Sequence, residues 1–279
     1  MTRGISLLKM RITLVQMDPK LKQVGRNLEH ILRNIKTAKT PLVLFPECAL
    51  TGYGFESKEE ALACAETVPG PSTTRIAEAC RAARIWAVVG LLERRGGKLF
   101  NAAVLIGPRG IAGVYRKMHL PFLGVDRFAT PGDLGFPVFR TPLGKLGLLI
   151  CYDGGFPEAV RSLKLGGAQL VCMPTNWPMA AEIVCRHSPI VRAQENHVNF
   201  AACNRAGTEA GFRFRGGSSV CDYNGNVVAR AGAGETVLTA TLDMRGADRN
   251  RVVIVPGRYE LDRIAHRRPE FYGRLVKKC

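Results

Sequence analysis

Short apolar runs that alternate with stretches of helical period constrain this chain more than any other feature, because that alternation builds layered α/β folds. Residues 10–16 read as a strand, and Leu28, Ile31, Leu32 and Ile35 recur at the spacing of three and four that marks one face of a helix over 27–35. Strands follow over 41–45 and 86–91, separated by a helix that Ser72 is placed to cap and that runs to residue 83. The runs 102–106 and 111–115 flank Gly107-Pro108-Arg109-Gly110, which predicts a hairpin and therefore a mixed sheet. Further strands are predicted over 146–150, 170–173, 199–203, 218–221 and 237–242, with Asn224-Gly225 as a tight turn. Helices are predicted over 157–165 and 180–197, the second kinked or interrupted at Pro189. No Gly/Ser linker or change of composition divides the chain, so one domain over 1–279 is expected.

Three reactive side chains stand where an apolar run gives way to a loop. Cys151 follows Leu149-Ile150, Glu47 follows Leu42-Val43-Leu44-Phe45-Pro46, and Lys117 follows Gly113-Val114-Tyr115-Arg116. A thiol, a carboxylate and an amine in matching positions offer a nucleophile, a base and an oxyanion stabiliser. The remaining cysteines read as structural. With Cys151 the chain has nine, and they form no CxxC pair, which suggests neither a zinc site nor a redox dithiol and fits a reducing compartment.

The sequence resembles the carbon-nitrogen hydrolases of the nitrilase superfamily. The resemblance rests on Phe45-Pro46-Glu47, on Tyr115-Arg116-Lys117-Met118-His119-Leu120-Pro121, and on Cys151-Tyr152-Asp153 followed by Phe156-Pro157-Glu158. Pro174-Thr175-Asn176-Trp177-Pro178, Arg192-Ala193-Gln194-Glu195-Asn196, Cys203-Asn204-Arg205, Gly217-Ser218-Ser219 and Arg268-Pro269 extend it along the chain. The resemblance implies a four-layer α-β-β-α sandwich of two mixed sheets, association into homodimers or larger homo-oligomers through helices, and no metal or cofactor. It also implies a Glu47, Lys117, Cys151 catalytic set acting through a thioester, with the Tyr152 backbone N–H beside Lys117 at the oxyanion. Many relatives carry a second glutamate before a Pro-Gly. Here the loop before Pro131-Gly132 holds no glutamate, and Asp126 is the nearest carboxylate, either filling that role or forming a loop salt bridge. Tyr53, Asn176 and Trp177 border the expected pocket or pack as core, while Arg192 and Glu195 read as an ion pair.

Tyr152 after the nucleophile, where nitrile-specific relatives commonly carry Trp, favours an amide or N-carbamoyl substrate over a nitrile. A nitrilase proper and a non-catalytic binding member remain alternatives. The formal charge of +17 concentrates toward the C-terminus, at Arg245, Arg249, Arg251, Arg263, His266, Arg267, Arg268, Arg274, Lys277 and Lys278. It could steer an acidic substrate or meet nucleic acid, or it could form a solvated face with ion pairs at a subunit contact. No RNA-binding signature accompanies it, so nucleic acid is not the expected partner. No apolar stretch reaches the length of a membrane span, and Met1-Thr2-Arg3-Gly4-Ile5-Ser6 lacks a signal peptide's apolar block, so a soluble cytoplasmic protein is expected. At this length no appended ammonia-consuming synthetase domain is expected either.

Overall fold

The computed structural model describes residues 9–277; residues 1–8, with the opening segment 1–6, and residues 278 and 279, with Lys278 of the basic tail, lie outside them. The chain runs β1 (Lys9–Gln16), α1 (Val24–Thr37), β2 (Leu42–Leu44), α2 (Lys58–Cys64), α3 (Pro71–Ala83), β3 (Trp86–Arg95), β4 (Lys98–Gly107) and β5 (Gly110–Arg116). It continues with β6 (Val138–Thr141), β7 (Gly144–Leu148), α4 (Pro157–Leu165), β8 (Leu170–Thr175), α5 (Glu182–Asn196) and β9 (Asn199–Asn204). Last come β10 (Thr208–Glu209), β11 (Phe212–Arg213), β12 (Ser219–Cys221), β13 (Val227–Arg230), β14 (Thr236–Asp243), β15 (Arg251–Val255) and β16 (Tyr259–Asp262).

Two mixed six-stranded sheets result, ordered β14-β1-β2-β3-β4-β5 and β13-β12-β9-β8-β7-β6. Each is built around three parallel strands, β1-β2-β3 in the first and β7-β8-β9 in the second, with antiparallel strands at the flanks. Period-two alternation explains why the first sheet buries both faces. Leu42, Leu44, Val88, Ala103 and Leu105 join a core shared with the second sheet, whereas Val43, Phe45, Val89, Val104 and Ile106 meet the apolar face of α1 and α3. On the second sheet, α5 lies against β9 and β12 and α4 lies against α5. The four-layer α/β arrangement expected from the resemblance is therefore present.

One expectation needs correction, and another, that Pro189 kinks or interrupts its helix, is narrowed. The cap of α3 is Gly70, with Pro71 at the first helical position and the Thr73 hydroxyl bonded to the Gly70 N–H; Ser72 instead bonds Glu66. Proline's preference for the first turn, with its φ already helical, moves the start ahead of the serine. Pro189 does not interrupt α5, which runs unbroken from Glu182 to Asn196. Packing against the second sheet and a left-handed cap at His197 outweigh the roughly 3 kcal/mol that an interior proline costs. In the basic C-terminal region Arg251 pairs with Glu260 and Arg268 with Glu270.

Candidate active site

The parallel strands of both sheets deliver their carboxyl ends to the site, the usual place for chemistry in open α/β sheets. Glu47 follows β2, Cys151 follows β7 with two residues between, and Asn176 follows β8. β5 runs in the direction of β3, since each is antiparallel to β4, so Lys117 emerges beside Glu47.

Glu47 reaches its place because β3 has a glycine opposite it. A Cβ on Gly90 would lie 2.3 Å from the Pro46 carbonyl oxygen and 2.8 Å from the Glu47 Cα. Lys117 is fixed through its backbone, its N–H donating to the Asn101 carbonyl (2.8 Å) and its carbonyl accepting from the Gly132 N–H (2.8 Å). The preceding Arg116 is clamped by a buried bidentate pair with Glu93 (2.6 and 2.7 Å). Asp126 sits on the 3₁₀ turn Gly124–Arg127.

These side chains form a closed cluster of charge. Lys117 Nζ donates to Glu47 Oε1 (2.7 Å) and to Asp126 Oδ2 (2.5 Å), and all three side chains are fully buried. Asn101 Nδ2 bridges the same two carboxylates, at 2.7 Å to Glu47 Oε1 and 2.8 Å to Asp126 Oδ1. Tyr53 completes it, its hydroxyl donating to Asp126 Oδ2 (2.8 Å). Asp126 thus holds the lysine rather than a surface salt bridge. Asn101 was invisible as a site residue in the sequence; the available signal was an amide inside the apolar run of β4.

Two carboxylates and one ammonium leave the buried cluster one negative charge in excess. Burial pulls the Lys117 amine down, but the Asp126 and Glu47 carboxylates outweigh it and hold the amine well above its ordinary value. The excess falls on Glu47, whose carboxyl is pushed up by burial and by Asp126 against the pull of Lys117. Glu47 Oε2 has no hydrogen-bond partner, so this oxygen remains for a proton.

Cys151 opens the 3₁₀ turn Cys151–Gly155 with φ +45°, a left-handed conformation costing a non-glycine residue about 1–2 kcal/mol. Burial and the Glu47 charge push its thiol up to about 12, while Lys117 and the Asn176 backbone N–H favour the thiolate. The resting thiol is therefore protonated and needs a base. Cys48, also left-handed at φ +49°, is fully buried with its Sγ turned to Asn101 Oδ1 (3.7 Å).

Of the remaining predicted residues, Asn176 is buried with neither side-chain atom partnered, and Thr175 Oγ1 is likewise buried and unpartnered. Trp177 packs in the core shared by the two sheets, its backbone N–H bonded to Asn204 Oδ1 (2.8 Å). The Tyr152 side chain is exposed, with its ring edge-on to Phe156 at 5.2 Å. Arg192 pairs with Glu195 at 2.8 Å. Among the described residues no group of three or more His, Cys, Asp or Glu is placed to hold a metal ion.

The family model for carbon-nitrogen hydrolases matches residues 11–251. A nitrilase of Pyrococcus abyssi is 38% identical over 239 residues, covering 84% of this chain and 90% of that protein. The crystal structure of a carbon-nitrogen hydrolase from Helicobacter pylori G27 superposes with a TM-score of 0.86 at 26% identity, covering 97% of this chain and 99% of that one. A mutant amidase from Nesterenkonia sp. AN1, showing the result of Michael addition of acrylamide at its active-site cysteine, superposes at 0.79 with 26% identity, covering 96% of this chain and 100% of that one. This chain belongs to the carbon-nitrogen hydrolase family of the nitrilase superfamily, and it is a cysteine-dependent hydrolase.

Proposed function

We propose that the protein, acting as one domain, hydrolyses a small primary amide or N-carbamoyl compound through a thioester on Cys151 and releases ammonia. Glu47 Oε2 takes the thiol proton as Sγ attacks the carbonyl carbon. Lys117 Nζ and the Tyr152 backbone N–H stabilise the tetrahedral oxyanion. Glu47 then returns the proton to the departing nitrogen, ammonia leaves, and the acyl group stays on sulfur. Water deprotonated by Glu47 attacks the thioester, and collapse restores the thiol and frees the acid. From a carbamoyl amine the same steps free a carbamate, which loses carbon dioxide to give the amine. Asp126 replaces the family's second glutamate as the anchor of Lys117.

The observation that carries this reading is a set of buried polar atoms left without partners: Glu47 Oε2, Thr175 Oγ1, and the oxygen and nitrogen of the Asn176 side chain. Such atoms cost about 1–3 kcal/mol each unless a ligand satisfies them. An amide brings both donors and an acceptor, whereas a nitrile brings an acceptor alone. A nitrilase reading is favoured by the name of the Pyrococcus abyssi relative. Ammonia release from a panel of amides, carbamoyl amines and nitriles, with intact-mass analysis of the enzyme, separates the two. Amide turnover with an acyl mass on Cys151 is expected; acid formed from nitriles alone would overturn the amide reading.

The same reading includes a homo-oligomer, supported by Ile183, Val184 and Val191 standing exposed on α5. Among the described residues no helix is long and apolar enough to cross a membrane, and no cysteine is paired. The unpaired cysteines support a reducing, cytoplasmic setting.

A further inference from the structure

Lys117 and Cys151 arrive from different sheets, and oxyanion stabilisation depends on the separation between them. The charge cluster around Lys117 lies wholly with residues of the first sheet and its loops, so it cannot set that separation. Asp153, fully buried two residues after the nucleophile, touches both sides. Its Oδ2 accepts from the Tyr115 hydroxyl (2.7 Å) and the Ile150 N–H (3.1 Å). Its Oδ1 accepts from the His119 N–H (3.0 Å) and lies 2.7 Å from His119 Nδ1. With a carboxylate as acceptor, Nδ1 carries the hydrogen.

Tyr115 and His119 stand two residues before and two after Lys117, and Ile150 immediately precedes Cys151. One carboxylate therefore grips the lysine segment at both ends and the cysteine segment at its start. A second contact joins the same segments: the His119 ring stacks on Phe156 at 3.7 Å and 10°, and Phe156 caps the turn that Cys151 opens. Burial and the facing carboxylate push the Tyr115 phenol up, so it stays a donor. None of these side chains takes part in the chemistry proposed above.

We infer that Asp153, with Tyr115 and His119, is a positioning clamp that sets the distance between Lys117 and Cys151 and so makes the oxyanion stabilisation effective. The inference rests on the thioester reading. Misplacement by about an ångström can cost on the order of a hundredfold in rate. Asp153→Asn turns an NH2 toward the donors on one side and breaks the grip. Tyr115→Phe removes one bond and keeps the ring.

The test is the acylation rate of Cys151 by p-nitrophenyl acetate, with kcat and KM for an accepted amide, in a double-mutant cycle against Lys117→Ala. Asp153→Asn is expected to lower acylation about 10- to 100-fold with KM changed less than about threefold. In the Lys117→Ala background it should do almost nothing further, because residues acting as one unit are not additive. Effects that multiply across the cycle would mean a merely structural role and overturn the clamp. Should Asp153→Asn not fold by circular dichroism, Tyr115→Phe runs the same cycle with an expected fall of about tenfold. His119→Asn, which returns a donor near the place of Nδ1, should recover activity that His119→Leu loses; equal loss in both would also count against the clamp. Retained turnover in Cys151→Ala would sink the thioester reading instead, so the two failures are distinguishable.

Discussion

The two sheets contribute to one site in opposite ways. The first supplies Glu47, Lys117, Asn101 and, from its loops, Tyr53 and Asp126, a cluster in which nearly every buried polar atom has a partner. The second supplies Cys151, Thr175 and Asn176, a neutral thiol among buried polar atoms without partners. Charge is thus stored on one side and hydrogen-bonding capacity is left open on the other. In the proposed mechanism the closed side is an electrostatic device that must stay rigid, and the open side is where a substrate would find its bonds. Stability and catalysis should therefore separate across the cleft: removing a group from the first sheet damages both, and removing one from the second damages chemistry alone.

Cys151→Ala is the extreme case on the open side. Ammonia release should fall about 10⁴-fold or more, and the acyl mass should vanish, because removing a covalent nucleophile costs nearly the whole advantage. Urea denaturation should place its stability close to that of the parent, because alanine keeps the Cβ that strains the left-handed backbone and loses only the thiol. Lys117→Met is the counterpart on the closed side. Rate should drop about 10²- to 10³-fold. Stability should drop too, by about 3–5 kcal/mol, because two buried carboxylates lose the cation between them. A Lys117→Met protein as stable as the parent would end the comparison.

The same division decides what was legible in the sequence. Glu47, Lys117 and Cys151 could be read because each ends an apolar run, and a strand end is where a polar side chain is unusual and well placed. The four layers followed from the blocks that carry the family resemblance; alternation within strands announced buried faces but not which sheet they would meet. The partners that hold the site were not legible. Asn101 lies 54 residues from Glu47 and Asp153 lies 38 from Tyr115, so their pairing exists only after the sheets have formed. Packing overrode a local rule at Pro189, and at the start of α3 proline's preference for the first turn outranked the serine cap. Asp126 stayed ambiguous because a loop carboxylate looks the same whether it faces solvent or a buried lysine.

Asp126→Asn sharpens the comparison by removing one charge and little volume. The ordinary value for a glutamate is 4.5, and Glu47 is raised above it by burial and by Asp126. In the parent the acid limb of kcat/KM should therefore lie above 4.5, because Glu47 must be ionised to take the thiol proton. Without the Asp126 charge, ionised Glu47 becomes easier to form, and the acid limb should move to lower pH. A raised carboxyl favours the folded state when protonated, so its contribution weakens as pH rises from 4.5 through the folded value, and this loss should shrink in the variant. The rate should fall about tenfold through weaker anchoring of Lys117. An acid limb that stays in place would show that Asp126 does not act on Glu47.

The smallest effect per site is expected outside the cleft, where the two sheets differ again. The first sheet's outer face is covered by α1 and α3, which bury Leu28, Ile31, Leu32, Ile35 and Ile76 against it. The helix over the second sheet leaves apolar side chains outward: Ile183 is 71% exposed, Val184 41% and Val191 46%. Under the homo-oligomer proposed above, a patch of this kind is the side on which subunits would meet. Ile183→Asp should reduce the molecular mass measured by light scattering after size-exclusion chromatography, because a carboxylate buried at such a contact without a partner is strongly disfavoured. Turnover per site should change little, since exposed substitutions away from a site stay within about 0.5 kcal/mol. A mass unchanged from an oligomeric parent would place the contact elsewhere, and a monomeric parent would overturn the oligomer reading. A large fall in turnover alongside dissociation would mean that α5 transmits subunit packing to Cys151, through Arg192 Nε and its bond to the Gly154 carbonyl (2.9 Å) in the nucleophile's own turn.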